Sequence, residues 1–141
     1  MGEEAVEQAL RALRHRERSS SQILIYLEAH GIEEPERADA LATLGRTGLV
    51  DDRRFAEARA RVLVERGAGD ALIEHDLGSA GVEPDTIEDV LEGLESESVR
   101  ARRVVERRGP DARTVRYLLG KGFSPDVAHA AIAGARTEPL R

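Results

Sequence analysis

Apolar residues recur along this chain at spacings of three and four, broken at intervals by glycine and proline, and the pattern is that of short amphipathic helices. Val6, Leu10 and Leu13 predict a first helix over residues 4–15. After a polar break at Arg16-Glu17-Arg18, with Ser19 or Ser20 as N-cap, Ile23 and Leu27 mark a second helix that Gly31 stops. Pro35 opens a third, carrying Ala38, Leu41 and Leu44 and closed by Gly45 and Gly48. Phe55, Ala58 and Val62 share one face of a fourth helix over 52–66, broken by Gly67-Ala68-Gly69. Asp70 is a candidate N-cap for the fifth, with Ile73 and Leu77, which ends at Gly81; Pro84 precedes a sixth, with Ile87, Val90, Leu91 and Leu94. Ala101, Val104 and Val105 lie on a seventh helix over 97–108 that Gly109-Pro110 breaks. Asp111 caps an eighth, with Val115 and Leu118, ending at Gly122; Ser124 and Pro125 start a ninth, with Val127, Ala131 and Ile132.

The densest set of stop and start signals is Gly48-Leu49-Val50-Asp51-Asp52-Arg53-Arg54-Phe55-Ala56. Gly48 can take the positive φ that ends a helix. Asp51 is a good N-cap, and Asp52 in the first turn faces the positive end of the helix dipole. Phe55 and Ala56 begin the next apolar stripe.

The same phrase returns three times: Leu27 to Ile32, Leu77 to Val82 and Leu118 to Phe123 each read Leu, three residues, Gly, apolar residue, with proline soon after. The glycines are 50 and 41 residues apart, a period that signals stacked helical units. The expected fold is therefore all-α: three tandem three-helix repeats over 1–50, 51–96 and 97–136, with a tail at 137–141, forming an elongated curved array. Units of small aliphatic residues bury little alone and gain stability by sharing interfaces.

Composition agrees. Two Phe, two Tyr and no Trp leave the core to Ala, Leu, Val and Ile. The absence of cysteine excludes disulfides and thiolate metal sites, and no apolar run has the length of a signal peptide or membrane span; the expectation is a cytoplasmic protein. Net charge is −6, unevenly divided: −3 over residues 1–50, −8 over 51–96 and +5 over 97–141. The last third can meet an anion while the middle repels one.

Catalytic chemistry is hard to assemble from these residues. His15, His30, His75 and His129 stand at no metal-binding spacing, and no metal or cofactor is expected. Asp51 and Asp52 are adjacent, so on a helix they point apart, and capping accounts for both. No enzyme is expected. What remains is surface: Arg100, Arg103 and Arg107 at i, i+3, i+7 on the seventh helix, Arg113 and Arg116 on the eighth, and Lys121 at its end. Such stripes bind phosphates or acidic surfaces, or are simply solvated. Reversing the charge of Arg100, Arg103 and Arg107 is expected to leave the fold intact.

The stretch Gly48-Leu49-Val50-Asp51-Asp52 with Phe55-Ala56, continued by Arg61, Gly67, Gly69, Ile73, Leu77, Gly81 and Val82, resembles the signature of the RecX family, regulators of the RecA recombinase. Arg16, Arg18, Ser19, Ile23, Leu27 and Gly31 resemble the first-repeat motif, and Tyr117-Leu118 with Lys121-Gly122-Phe123-Ser124 the third. The resemblance covers residues 5–133. It implies three tandem three-helix repeats, and a protein without catalysis of its own that binds RecA and the groove of RecA–single-stranded-DNA filaments. Such proteins inhibit strand exchange, ATP hydrolysis and coprotease activity, and so modulate recombination, DNA repair and the SOS response. The family often carries an aromatic where Ala68 stands and a basic residue where Leu72 stands. This points to the third repeat, with its arginines, as the filament- or DNA-facing segment. The chain is expected to be a monomer that binds DNA weakly by itself. The competing reading is an autonomous helix-turn-helix-like DNA-binding module.

Replacing Asp51 by alanine is expected to cost about 0.5–2 kcal/mol in thermal or denaturant unfolding. No loss would show that Asp51 is not a cap.

Overall fold

The computed structural model describes residues 2–137. Nine α-helices and no strand occur among them: α1 (Glu3–Leu13), α2 (Ser20–Ala29), α3 (Glu34–Arg46), α4 (Asp52–Glu65), α5 (Asp70–Ser79), α6 (Pro84–Glu92), α7 (Glu97–Arg108), α8 (Ala112–Gly120) and α9 (Pro125–Thr137). Of the tail expected at 137–141, Thr137 belongs to α9 and residues 138–141 lie outside the described residues.

The returning glycine phrase is a helix stop of one kind. The N–H groups of Ile32, Val82 and Phe123 donate to the carbonyls of Leu27, Leu77 and Leu118 at 3.1, 3.1 and 3.0 Å, while Gly31, Gly81 and Gly122 donate to Glu28, Gly78 and Leu119. This is the Schellman arrangement. It requires φ > 0 at the glycine, observed at +78°, +81° and +91°. The leucine and the residue after the glycine are both buried, so the stop also closes the core. Gly48 and Gly67 end α3 and α4 in the same way, with φ of +77° and +86°. Gly45, expected to help close the third helix, lies inside α3.

Each triplet of helices closes its own core. Ala5, Ala9, Ile23, Leu27, Ala40 and Leu44 pack together in the first. Phe55, Ala56, Leu63, Ile73, Leu77 and Ile87 do so in the second, and Ala101, Val104, Leu118, Phe123, Ala128 and Ile132 in the third. All extensive helix–helix contacts lie within a triplet. The accessible surface is 8998 Å², against about 7,200 Å² for a compact monomer of this mass, so the array is elongated.

Two joints connect the triplets, and they share one design. At the first, the Ser20 N–H, at the start of α2, donates to the Asp52 carboxylate at the start of α4 at 2.7 Å. The Ser19 hydroxyl donates to the Ala80 carbonyl at the end of α5 at 2.6 Å. At the second, the Asp70 N–H, at the start of α5, donates to the Glu97 carboxylate at the start of α7 at 2.7 Å. The Gly69 and Ala71 N–H groups donate to the Lys121 and Gly122 carbonyls at the end of α8, at 2.8 and 3.1 Å. Donors at one helix start thus meet a carboxylate at the start of a second helix and carbonyls left over at the end of a third. The dipoles of α2, α5 and α8 run head to tail. Asp70, expected as an N-cap, is instead the first residue of α5, and Gly69 occupies the cap. A Cβ at Gly69 would overlap the Phe123 N and Gly122 backbone, so the second joint needs glycine there although its φ is an ordinary −85°. Counted back from the helix stop, Pro110 occupies the position of Ser19 and Gly69. Proline has no N–H, so α8 lacks there the donor that Gly69 gives at the second joint.

Alanine at Gly69 is expected to cost about 1–3 kcal/mol by forcing the second joint apart. Alanine at Gly45, exposed in α3 with open space around it, is expected to stabilise by up to about 1 kcal/mol. Denaturant unfolding checks both; equal effects at the two sites would contradict the tight joint.

Candidate partner-binding surface

The stretch from Gly48 to Ala56 forms the junction expected of it, with more attached. Gly48 ends α3, and the Asp51 carboxylate accepts from the Arg54 N–H at 3.1 Å as the cap of α4. Arg54 reaches back to the Gly48 carbonyl at 2.8 Å and across to Glu17 of the preceding unit at 3.0 Å. Phe55 and Ala56 are buried in the second core, and Gly67 and Gly69 sit at the second joint. Asp52 does more than face the dipole, because it accepts the Ser20 N–H. Nothing in the local sequence signals that role, since the donor lies 32 residues away.

The arginines of α7 do not form one solvated stripe. Arg100 is 5% exposed and belongs to the second joint. Its guanidinium donates to the Ala68 carbonyl at 2.8 Å and the Glu95 carbonyl at 3.0 Å, pairs with Asp70, and lies 5.8 Å from the centre of the Phe123 ring. The expectation that reversing its charge leaves the fold intact is therefore corrected: a carboxylate there would face two carbonyls and an aspartate. The i, i+3, i+7 spacing correctly places three arginines on one side of α7, but the edge of that side abuts the preceding unit. The two departures noted in the middle repeat fall at the same place. Ala68 is buried with its carbonyl held by Arg100, and Leu72 lies against Gly122.

The other five predicted cations differ in their surroundings. Arg103 is exposed and pairs with Glu95, whose carboxyl is held below its usual range by hydrogen bonding to that guanidinium. Arg107, Arg113 and Arg116 are exposed, with no hydrogen bond or ion pair of their side chains among the described residues. Lys121 is half-buried, its stem beside Gly67 and the Tyr117 hydroxyl. Arg108 lies over the Tyr117 ring, 3.7 Å from its centre, a contact the sequence reading missed. The third unit thus presents a basic surface with one aromatic at its edge.

The acidic unit has its own internal pairing. Arg59 grips Asp76 through two hydrogen bonds of 2.9 Å between α4 and α5, and this holds the Asp76 carboxyl below its usual range. No three His, Cys, Asp or Glu side chains converge to hold a metal ion among the described residues. The four histidines are exposed, and His30 stacks on Tyr26 with ring centres 4.2 Å apart. No described helix is long and apolar enough to cross a membrane.

Comparison with known proteins gives one answer at three levels. Residues 51–91, which carry α4, α5 and nearly all of α6, match the family model described as RecX, second three-helix domain. The chain is 36% identical over 87 residues to the regulatory protein RecX of Chromohalobacter salexigens, covering 62% of this chain and 57% of that protein. It is 37% identical over 87 residues to that of Halorhodospira halophila, covering 62% and 54%. The chain thus spans a little over half the length of the curated relatives it matches. The crystal structure of RecX from Lactobacillus salivarius superposes with a TM-score of 0.83 at 20% identity, over 97% of both chains. A second, the crystal structure of regulatory protein RecX, superposes with 0.74 at 23% identity, over 89% of this chain and 68% of that one. At these identities the superpositions speak to fold alone, and the fold is the same helical array. With the sequence matches beside it, this chain is similar to proteins of the RecX family in its middle unit and in its fold.

Proposed function

We propose that this chain is a non-enzymatic cytoplasmic regulator that binds RecA and RecA–single-stranded-DNA filaments as a monomer and inhibits or destabilises them. In this way it modulates recombination, DNA repair and the SOS response. The observation that carries the reading is the 36–37% identity to proteins named regulatory protein RecX. The geometry fits it: three units, proposed at 1–50, 51–96 and 97–136, are joined end to end into a rod. Such a shape engages a repeating partner through many modest contacts rather than through one cleft. We assign the filament-facing role to Arg103, Arg107, Arg113, Arg116 and Lys121 of the third unit. Arg100 supports them by fixing that unit to its neighbour.

The charge distribution sets what this surface does without the filament. Phosphate contacts from the third unit are opposed by the −8 carried by residues 51–96, so DNA alone is a weak ligand. The array meets a filament with its basic end toward the nucleic acid or acidic protein surface, and its acidic middle away from phosphate.

The test is to assemble RecA on single-stranded DNA with ATP and titrate in this chain at substoichiometric amounts. ATP hydrolysis and strand exchange are expected to fall; no change across a wide titration would end the proposal. Tight binding to labelled DNA without RecA, with a steep salt dependence, would favour an autonomous DNA-binding module instead. Combined Arg107→Glu, Arg113→Glu and Arg116→Glu is expected to weaken inhibition, each change altering stability by no more than about 0.5 kcal/mol. Arg100→Ala is expected to cost about 1.5–3 kcal/mol. Full inhibition by the triple variant would remove these arginines from the interface.

A further inference from the structure

The acidic middle unit carries a groove on the solvent side of its core, away from both joints. It runs between α5 and α6, encloses about 570 Å³, and is lined by Glu74, Gly78, Val82, Pro84, Ile87, Glu88 and Leu91. Val82 and Ile87, 4% and 6% exposed, form its floor, and the half-buried Leu91 lies beside them. Glu74 on α5 and Glu88 on α6 stand on opposite walls. Both are exposed, and neither is in an ion pair among the described residues.

Gly78 is informative. It lies within α5 at an ordinary negative φ, and a Cβ there would meet nothing within 4 Å. Neither backbone conformation nor packing in this fold asks for glycine, which disfavours a helix relative to alanine. Its effect is to widen the groove wall one turn along α5 from Glu74, where another backbone can then approach closely.

We propose that this groove docks a cationic amphipathic helix of a partner protein. One aliphatic side chain is seated on Val82, Ile87 and Leu91, and lysine or arginine side chains lie on Glu74 and Glu88. The volume suits a bulky side chain with its flanking turn, and the recognition mode is helix in groove. Charge selects the occupant at two ranges. The two unpaired carboxylates favour a cation locally, and the −8 of residues 51–96 steers cationic segments toward this unit and turns nucleic acid away. The site is separate from the arginine surface of the third unit and stands whether or not that surface faces a filament.

The test uses the full chain, isotopically labelled, and a synthetic helical peptide with a central leucine and a lysine four residues to either side. Amide shifts on titration are expected to cluster at Glu74, Gly78, Val82, Glu88 and Leu91. Changing the peptide's leucine to glutamine is expected to weaken binding roughly tenfold, as is Glu74→Lys with Glu88→Lys in the protein. Gly78→Ala is expected to raise the melting temperature while weakening the peptide, a combination that a merely structural glycine would not give. No binding at about millimolar peptide, shifts spread over all the acidic helices, or equal binding of the glutamine peptide would overturn the proposal. Concentration-dependent shifts at the same groove without peptide would also overturn it, by showing that a second copy of the chain is the occupant.

Discussion

The structure depends on one exchange made at both joints. Donors at the start of a middle helix are given to a carboxylate and a terminal carbonyl of the following unit: the Ser20 N–H and the Ser19 hydroxyl at the first joint, and backbone N–H groups with no partner inside their own helix at the second. Each triplet satisfies its own apolar residues, so hydrophobic burial does not by itself order the units relative to one another. Directional hydrogen bonds do that. They act where they are worth most, at sites partly shielded from water, and Arg100 adds a charged anchor at the second joint.

That division of labour explains which features are legible in the chain and which are not. The helices and their stops rest on local signals: Leu-x-x-x-Gly followed by an apolar residue is one Schellman turn, and its recurrence is the repeat itself. Caps at Ser19, Asp51, Asp111 and Ser124 are equally local, each accepting from an N–H three residues on. The joints are not local. Asp52 and Glu97 look like ordinary first-turn acids, yet both hold the N–H of a helix that begins 32 or 27 residues earlier. Gly69 looks like a loop breaker, but its missing Cβ makes room for another unit's backbone. Arg100 looks like its neighbours Arg103 and Arg107, because periodicity reports which residues share a face of a helix and not what lies opposite that face.

The same distinction sorts the candidate partner residues. A basic third unit was readable from charge counting alone, and its exposed arginines are where the helix period puts them. Separating a contact residue from a structural one required the joint, which takes Arg100 out of the surface and puts Ala68 and Leu72 into the seam. Departures from the family pattern at those two positions therefore bear on how units are held together. The rod ends with a polarity: an acidic middle with an apolar groove, and a basic end with exposed guanidinium groups.

The central claim is that hydrogen bonds at the joints, and not a continuous core, fix the units relative to one another. The chain has no cysteine, so spin labels can be placed at Arg11→Cys in α1 and His129→Cys in α9 without competition. The distance distribution between them is the most direct measurement. A single narrow distribution is predicted for the otherwise unaltered chain, and a broad one once Glu97 is changed to Ala with the helices intact. Equal widths in the two would contradict the account, because the units would then be held by something other than the joint.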